Sequence, residues 1–246
     1  MKTSSFSRLA QAMAAVVAVT ACVLAVSCEK AHRYSGGVNQ EAVQQIAIYE
    51  TYDLAWIERP LDALSDEAAK HSAQSDTVTL VDLLNKHSSG RVLMNITAPV
   101  VGYVLPADTA AVDSIITQYG SRILPLDLKL AWSKSYSHIV PECYELVALR
   151  TSNRLPAITG EYIEKATSEY DKMMGYVVTL EFTDEGSRIF SRVTDANIGK
   201  SIAFVVKGKV YCYPRVNAHV DGGRVQITGD FTEEEANGLV DFIYGK

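Results

Sequence analysis

The sequence lacks a basic run, a phosphate-binding glycine loop and any clustering of metal ligands. It has 23 Lys and Arg against 29 Asp and Glu among 246 residues, a formal net charge of −6. An acidic chain without a basic patch does not attract a polyanion, so we predict no nucleic-acid binding. Neither GxGxxG nor GxxxxGK[ST] occurs, and the five histidines are scattered without metal-ligand spacing. The sequence therefore predicts no cofactor and no metal site.

Two groups of residues invite a catalytic interpretation, and we favour a structural one for both. Ser137, His138 and Cys143 are close in sequence. A nucleophile and its base must converge in space, however, and this segment is predicted to be a linker. The glutamates at 233–235 lie in the first turn of a predicted helix, where acidic side chains suit the helix dipole. We therefore predict no catalytic residues and no enzymatic activity.

Long apolar runs are confined to the N-terminus, where residues 1–27 have the pattern of a secretory signal. In "LAVSC" a small residue precedes Cys28, which resembles a bacterial lipobox, whose Cys becomes the lipidated first residue of the mature chain. "VTAC", ending at Cys22, matches that pattern better, but cleavage there leaves the apolar "VLAVS" on the mature protein. We therefore favour lipidation at Cys28. The alternative is ordinary cleavage and a soluble periplasmic protein.

Beyond the signal and Cys28 the sequence has only two cysteines, Cys143 and Cys212. An exported compartment permits a disulfide between them. The alternative is that both are small apolar residues of the core, because each lies on a predicted strand. No later segment approaches about 18 consecutive apolar residues, so nothing else is predicted to span a membrane.

Strands and helices alternate along the rest of the chain. In the first half, the pattern predicts the following: a strand over 46–52, a helix over 53–70 interrupted at Pro60, a helix beginning at Thr79, β-structure over 91–105, a helix ended by Gly120, a strand over 126–133 and a linker over 135–141. The second half predicts a strand over 144–151, a helix over 159–167, a strand over 176–182, a helix over 184–195, two strands joined at Lys207-Gly208-Lys209, a strand over 224–229 and a helix from Thr232, with Glu235 completing its capping box.

The strand after Gly208 separates two kinds of side chain by simple alternation. Three apolar residues are predicted to face the core: Val210, Cys212 and Val216. The opposite face carries two tyrosines and a cation: Tyr211, Tyr213 and Arg215. An exposed sheet face of this kind can hold an extended peptide. The alternative is an ordinary cross-strand pair covered by a helix.

The segment from "GYVVTLEF" to "FTEEEANGL" resembles the periplasmic P1 head of SecD, the protein-export subunit also found fused as SecDF. The matching positions occur in the family's order: Gly186, Phe190, Thr194, Asn197, Gly199, Lys200, Pro214, Gly222-Gly223, the Ile227–Gly229 stretch and the Phe231–Ala236 stretch. The strong match covers residues 143–244, and a weaker one reaches back to about residue 46. The family usually has Asp where this chain has Lys207, and Ser-Ala where it has Cys212-Tyr213.

The resemblance implies an α+β fold in which a ferredoxin-like antiparallel sheet carries helices on one face, preceded by a smaller α/β region. We expect the domains to be a lipoprotein signal peptide (1–27), an N-terminal tether (28–45), a base-like α/β region (46–140) and the head-like domain (141–246). SecD continues into a membrane channel domain that couples to protons. This chain ends at Lys246, so proton-driven translocation is not carried over.

Two functions are consistent with these expectations. The first is a lipid-anchored binding module on the periplasmic face of the inner or outer membrane, which captures unfolded polypeptide or docks on translocon components. The second is a structural or surface lipoprotein that uses the same fold for protein–protein contacts unrelated to export. The sequence does not define the oligomeric state.

Overall fold

A computed structural model provides the fold and describes residues 36–70, 80–85 and 99–246. The predicted signal peptide and Cys28 lie outside the described residues. Thr79, the predicted start of a helix, and three of the five histidines also lie outside them. The described elements, in chain order, are α1 (Gln40–Val43), β1 (Ile46–Thr51), α2 (Leu54–Lys70), α3 (Leu80–Asn85), β2 (Val100–Val104), α4 (Thr109–Ile123), β3 (Leu128–Tyr136), β4 (Tyr144–Arg150), β5 (Ile158–Thr159), β6 (Ile163–Asp171), β7 (Gly175–Phe182), α5 (Asp184–Ala196), β8 (Ile202–Val206), β9 (Lys209–Cys212), β10 (Arg224–Phe231) and α6 (Glu233–Tyr244).

The mixture of helices and sheets is the predicted α+β class, and the elements form two compact units. Unit 1 contains the described part of residues 51–155, and unit 2 contains residues 36–50 together with 156–246. The predicted boundary after residue 140 differs from this division. It differs because β1 pairs with β8 and therefore belongs to unit 2, whereas β4 pairs with β2 and β3 and belongs to unit 1.

Unit 1 is an antiparallel sheet in which β4 lies between β2 and β3, with three helices beside it. Its core comprises the following buried side chains: Leu64, Leu80, Leu83, Leu84, Val104, Val112, Trp132 and Leu146. Two expected interruptions are wrong. Pro60 lies inside a continuous α2, and α4 runs past Gly120 to Ile123. The burial of one face of each helix outweighs the local cost of a Pro or Gly within it.

Unit 2 contains two antiparallel sheets. In one, β7 lies between β6 and β10, and α6 packs on these three strands. In the other, β1 lies between β5 and β8, and β8 also pairs with β9. The predicted single ferredoxin-like sheet is not confirmed, because the strands of this region divide between the two sheets.

The core of unit 2 follows the predicted periodicities. Val178, Leu180 and Phe182 of β7 are buried on one face, as the alternation of that strand predicts. The predicted apolar stripe of α6 is also buried in this core: Ala236, Leu239, Val240 and Ile243. Thr232 and Glu235 form the predicted capping box, because each side chain accepts the other residue's backbone N–H.

The predicted helix over 159–167 is wrong. The segment is a single 3₁₀ turn (160–162) followed by strand β6. Ile163 and Ala166 are both buried, and their separation of three positions imitates a helical pattern. Ile163 and Lys165 pair with consecutive residues of β7, so β6 has a bulge with one extra residue between them. The bulge interrupts the alternation of buried and exposed side chains along β6.

The outer edge of β6 is partly closed by the last residue of α6. The hydroxyl of Tyr244 accepts a hydrogen bond from the Ala166 backbone N–H at 3.2 Å and donates one to the Ala166 carbonyl at 3.3 Å. Tyr244 is 9% exposed and Ala166 is fully buried. The Tyr244 hydroxyl therefore forms hydrogen bonds with both backbone groups of Ala166 on the open side of β6. In a central strand, a neighbouring strand would pair with these groups.

Part of the predicted tether over 28–45 is folded. The Asn39 side chain caps α1 by accepting hydrogen bonds from Glu41 N and Ala42 N at 3.0 Å. The Asn39 N–H donates to the Ile243 carbonyl at 2.8 Å, which places α1 against the end of α6. These backbone contacts make residues 39–43 a component of unit 2.

Candidate functional site

The turn between β8 and β9 contains the position where the chain departs from its resemblance. Lys207 and Gly208 have positive φ angles of 51° and 75° and connect the paired residues Val206 and Lys209. A two-residue turn with both angles positive favours Asn or Asp followed by Gly, so Lys is a strained choice. The Lys207 Nζ lies 4.0 Å from the centre of the Phe242 ring. This cation–π contact offsets part of the strain.

The alternation predicted for β9 is broken by a bulge. Consecutive residues Val205 and Phe204 pair with Val210 and Cys212, so Tyr211 is the extra residue. Tyr211 and Cys212 consequently both pack against the core of unit 2, rather than facing in opposite directions.

The tyrosine at the bulge is a half-buried contact residue. The ring of Tyr211 lies 6.2 Å from that of Phe231 at a tilt of 40°. Burial raises the pKa of Tyr211, and the nearby charge of Glu235 adds to the increase. A Tyr held in this way has one edge in the core and offers only part of its surface to a ligand.

The other two residues of the predicted face lie further along the chain. Tyr213 is half-buried, and Arg215 is exposed and forms an isolated antiparallel bridge with Ser201. Val216 is buried, as predicted. The segment therefore presents one anchored tyrosine, one half-buried tyrosine and one exposed cation.

Both cysteines are free in the structure. Burial raises the pKa of the Cys143 thiol and raises that of Cys212 to about 12. Neither is an activated thiolate, because both environments favour the protonated form. Cys143 is buried and Cys212 is half-buried against the core, which is consistent with the interpretation as small apolar residues.

Ser137 stabilises a turn beside Cys143. Its hydroxyl donates to the buried Glu145 at 2.6 Å and accepts hydrogen bonds from Ile139 N and Val140 N at 3.1 and 3.3 Å. The nearby His138 is exposed. These contacts occupy the hydroxyl of Ser137, so this segment is structural, as the sequence predicts.

A polar cluster that the sequence does not reveal lies on the surface of α5. His219 Nε2 lies 2.8 Å from Asp221 Oδ1 and 3.2 Å from Ser191 Oγ, and its Nδ1 lies 3.7 Å from Asp195. The hydrogen bond to Asp221 is the main cause of the raised pKa of His219. A ring nitrogen that donates to a carboxylate does not accept the proton of a serine, so the arrangement is not that of a nucleophile and base. It fastens the loop after β9 to α5.

The positions shared with the family hold the fold together. The Thr194 hydroxyl accepts a hydrogen bond from Val220 N at 3.1 Å, and the Asn197 side-chain amide donates to Glu50 and to the Val193 carbonyl, each at 2.8 Å. Thr194 is 1% exposed and Asn197 is 3% exposed. Buried polar groups need such partners, which explains why these residue types occupy these positions.

Two further observations apply only to the described residues. Within them, no group of three or more His, Cys, Asp and Glu side chains is placed to hold a metal ion. In the same part of the chain, no helix is both long and apolar enough to cross a bilayer.

These features define an α+β scaffold whose distinctive residues serve caps, turns and buried polar contacts. The family model described as the SecDF P1 head subdomain matches residues 146–243 of this chain. The resemblance found in the sequence is therefore confirmed, because residues 146–243 match the SecD/SecDF P1 head.

Two curated relatives agree with the family match. The protein translocase subunit SecD of Rhodothermus marinus is 30% identical over 197 residues, which cover 76% of this chain and 32% of that protein. SecD of Syntrophobacter fumaroxidans is 39% identical over 83 residues, 33% of this chain and 16% of that protein. The chain thus spans about a third or less of these relatives. A solved structure of SecDF, "a membrane component … that enhances protein export", is 22% identical with a TM-score of 0.36, covering 81% of this chain and 92% of that one.

Proposed function

We propose that the protein is a non-enzymatic component of protein export that captures extended polypeptide or docks on the export machinery. The observation that carries this proposal is the SecDF P1 head match over residues 146–243. The proposed role is binding alone and needs no proton-driven step within this chain. The structural roles of Ser137 and of the His219 cluster support a non-catalytic protein.

The proposal includes export and attachment to the periplasmic face of the inner or outer membrane through a lipid on Cys28. Its support is the apolar leader that ends in "LAVSC". Several acyl chains on one residue anchor a protein stably, because each buried methylene contributes about 0.8 kcal/mol. The intact mass of the native protein tests this, and an unmodified mature N-terminus at another residue would refute it.

The proposed contact residues are Tyr211, Tyr213 and Arg215. Because Tyr211 also packs on Phe231, its removal would disturb the fold, and the sharper variant is Tyr213→Ala with Arg215→Ala. We expect this variant to bind a reduced, alkylated unfolded protein about fivefold more weakly, because it loses an aromatic contact and a cation. Fluorescence anisotropy with the labelled unfolded protein measures the Kd.

Tyr211→Phe is the matched control, because it keeps the ring on Phe231 and should leave the affinity within about twofold. Unchanged binding by Tyr213→Ala with Arg215→Ala would remove these residues from the site. Capture from native membranes then separates the two functions considered from the sequence. Capture of translocon components or preproteins would support the export role. Capture of other envelope proteins alone would support the structural role instead.

A further inference from the structure

The hairpin between β6 and β7 carries an exposed apolar tip. Met173 is 95% exposed, Tyr170 is 56% exposed and Met174 is 38% exposed. Large apolar side chains are normally exposed singly, and three around one turn form a patch. We call Tyr170, Met173 and Met174 the hairpin tip.

The backbone of the hairpin tip is held in place. The Asp171 carboxylate accepts hydrogen bonds from Met173 N at 2.7 Å and Met174 N at 2.9 Å. The rings of Tyr170 and Tyr176 meet edge to face with their centres 5.1 Å apart. The methionines therefore project from an ordered turn, and their flexible side chains can adapt to apolar partners of different shapes.

Carboxylates lie within this turn and beside it, at the start of α6. The Tyr176 hydroxyl donates to Glu233 at 3.0 Å, which places the start of α6 beside the hairpin tip. Glu233 and Glu234 are exposed, Glu235 follows them, and Asp171 lies within the turn. Lys172 is the only cation among residues 170–176. The patch is therefore apolar at its centre and acidic on the side that meets α6.

From this arrangement we infer that the hairpin tip binds polypeptide segments in which apolar side chains are flanked by Lys or Arg. The apolar residues would pack on Met173 and Met174, and the cations would face the carboxylates at the start of α6. An anionic lipid surface has the wrong charge for this border. The inference rests on the proposed function, since it specifies the polypeptide and places its contact on a surface other than the Tyr211 segment.

The experiment compares two synthetic peptides that share one apolar sequence, flanked in one case by Lys and in the other by Glu. Binding to the full chain is measured by fluorescence anisotropy at low and at high salt. We expect the Lys-flanked peptide to bind about tenfold more tightly at low salt, and the difference to shrink at high salt as the charges are screened. Glu234→Gln should reduce the preference by about twofold.

The apolar contact is tested by Met173→Ser with Met174→Ser, which should weaken binding of the Lys-flanked peptide about tenfold. Ile198→Ser, at a 51% exposed apolar residue of the same unit, is the matched control and should change nothing. Equal affinity for the two peptides would overturn the inference, as would binding to anionic vesicles in preference to the peptide. Capture of unfolded protein that is unaffected by the methionine variant would overturn the inference and leave the proposed function standing. No polypeptide binding at all would overturn both.

Discussion

Replacement of Gly160 by Ala is expected to destabilise unit 2 by about 3 kcal/mol or more. A Cβ at this position would lie 2.0 Å from the Val43 carbonyl oxygen and 3.0 Å from the Ile46 Cβ. The nearest atom belongs to the backbone, so no side-chain rotation relieves the clash. The segment that connects α1 to β1 must move away from the 3₁₀ turn, and the contacts of α1 weaken with it.

Urea denaturation followed by far-UV circular dichroism measures the effect. Gly238→Ala provides a control of opposite sign, because a Cβ at this position of α6 meets nothing within 4 Å. Ala is the better helix former by about 1 kcal/mol, so this variant should be more stable than the natural chain. If Gly160→Ala unfolds at the same urea concentration as the natural chain, α1 does not pack on the turn as described.

The second large effect is expected for Tyr244→Phe. The substitution keeps the ring but removes the hydroxyl that both accepts from and donates to Ala166. Two buried backbone groups of β6 lose their partner, which costs about 2 kcal/mol. The opened strand edge also becomes available to another chain, so the variant should self-associate at concentrations at which the natural chain does not.

Chemical denaturation measures the change in the free energy of unfolding, and sedimentation velocity measures the self-association. Tyr162→Phe is the control, because Tyr162 packs against the same core. Among the described residues, the hydroxyl that bonds the backbone of Ala166 is that of Tyr244. It should change stability by less than about 0.5 kcal/mol. A Tyr244→Phe protein with unaltered stability would show that water or neighbouring side chains replace the hydroxyl fully.

The sequence predicts the elements of unit 2 well where local signals and burial agree. Thr232 and Glu235 mark the start of α6, and the alternation of residues 176–182 defines the buried face of β7. The two bulges are different, because a bulge adds one residue and leaves no signature in the alternating pattern. The bulge in β6 imitates a helix, and the one at Tyr211 changes which side chains share a face.

The candidate sites were predictable to different degrees. The sequence suggests Tyr211, Tyr213 and Arg215 as a contact face, and this stays a prediction. It does not show that Tyr211 packs on Phe231, because that contact joins distant segments. The hairpin tip was not predicted, because the sequence predicts a helix over 159–167 where the structure has the beginning of strand β6. Without β6 there is no hairpin with β7. Only the hairpin pairing places "YDKMMGY" at a turn beside the first residues of α6.

The pairing of β1 with β8 also determines when unit 2 can be completed during synthesis. Strand β1 leaves the ribosome early, but its partner begins at Ile202, and α1 rests on α6, which ends at Tyr244. The described part of unit 1 lies within residues 51–155, so all of it has been made while residues 156–246 of unit 2 are still missing. A growing chain therefore lacks the β8 partner of β1 until residues 202–206 have been made, so β1 needs protection from premature association during that interval.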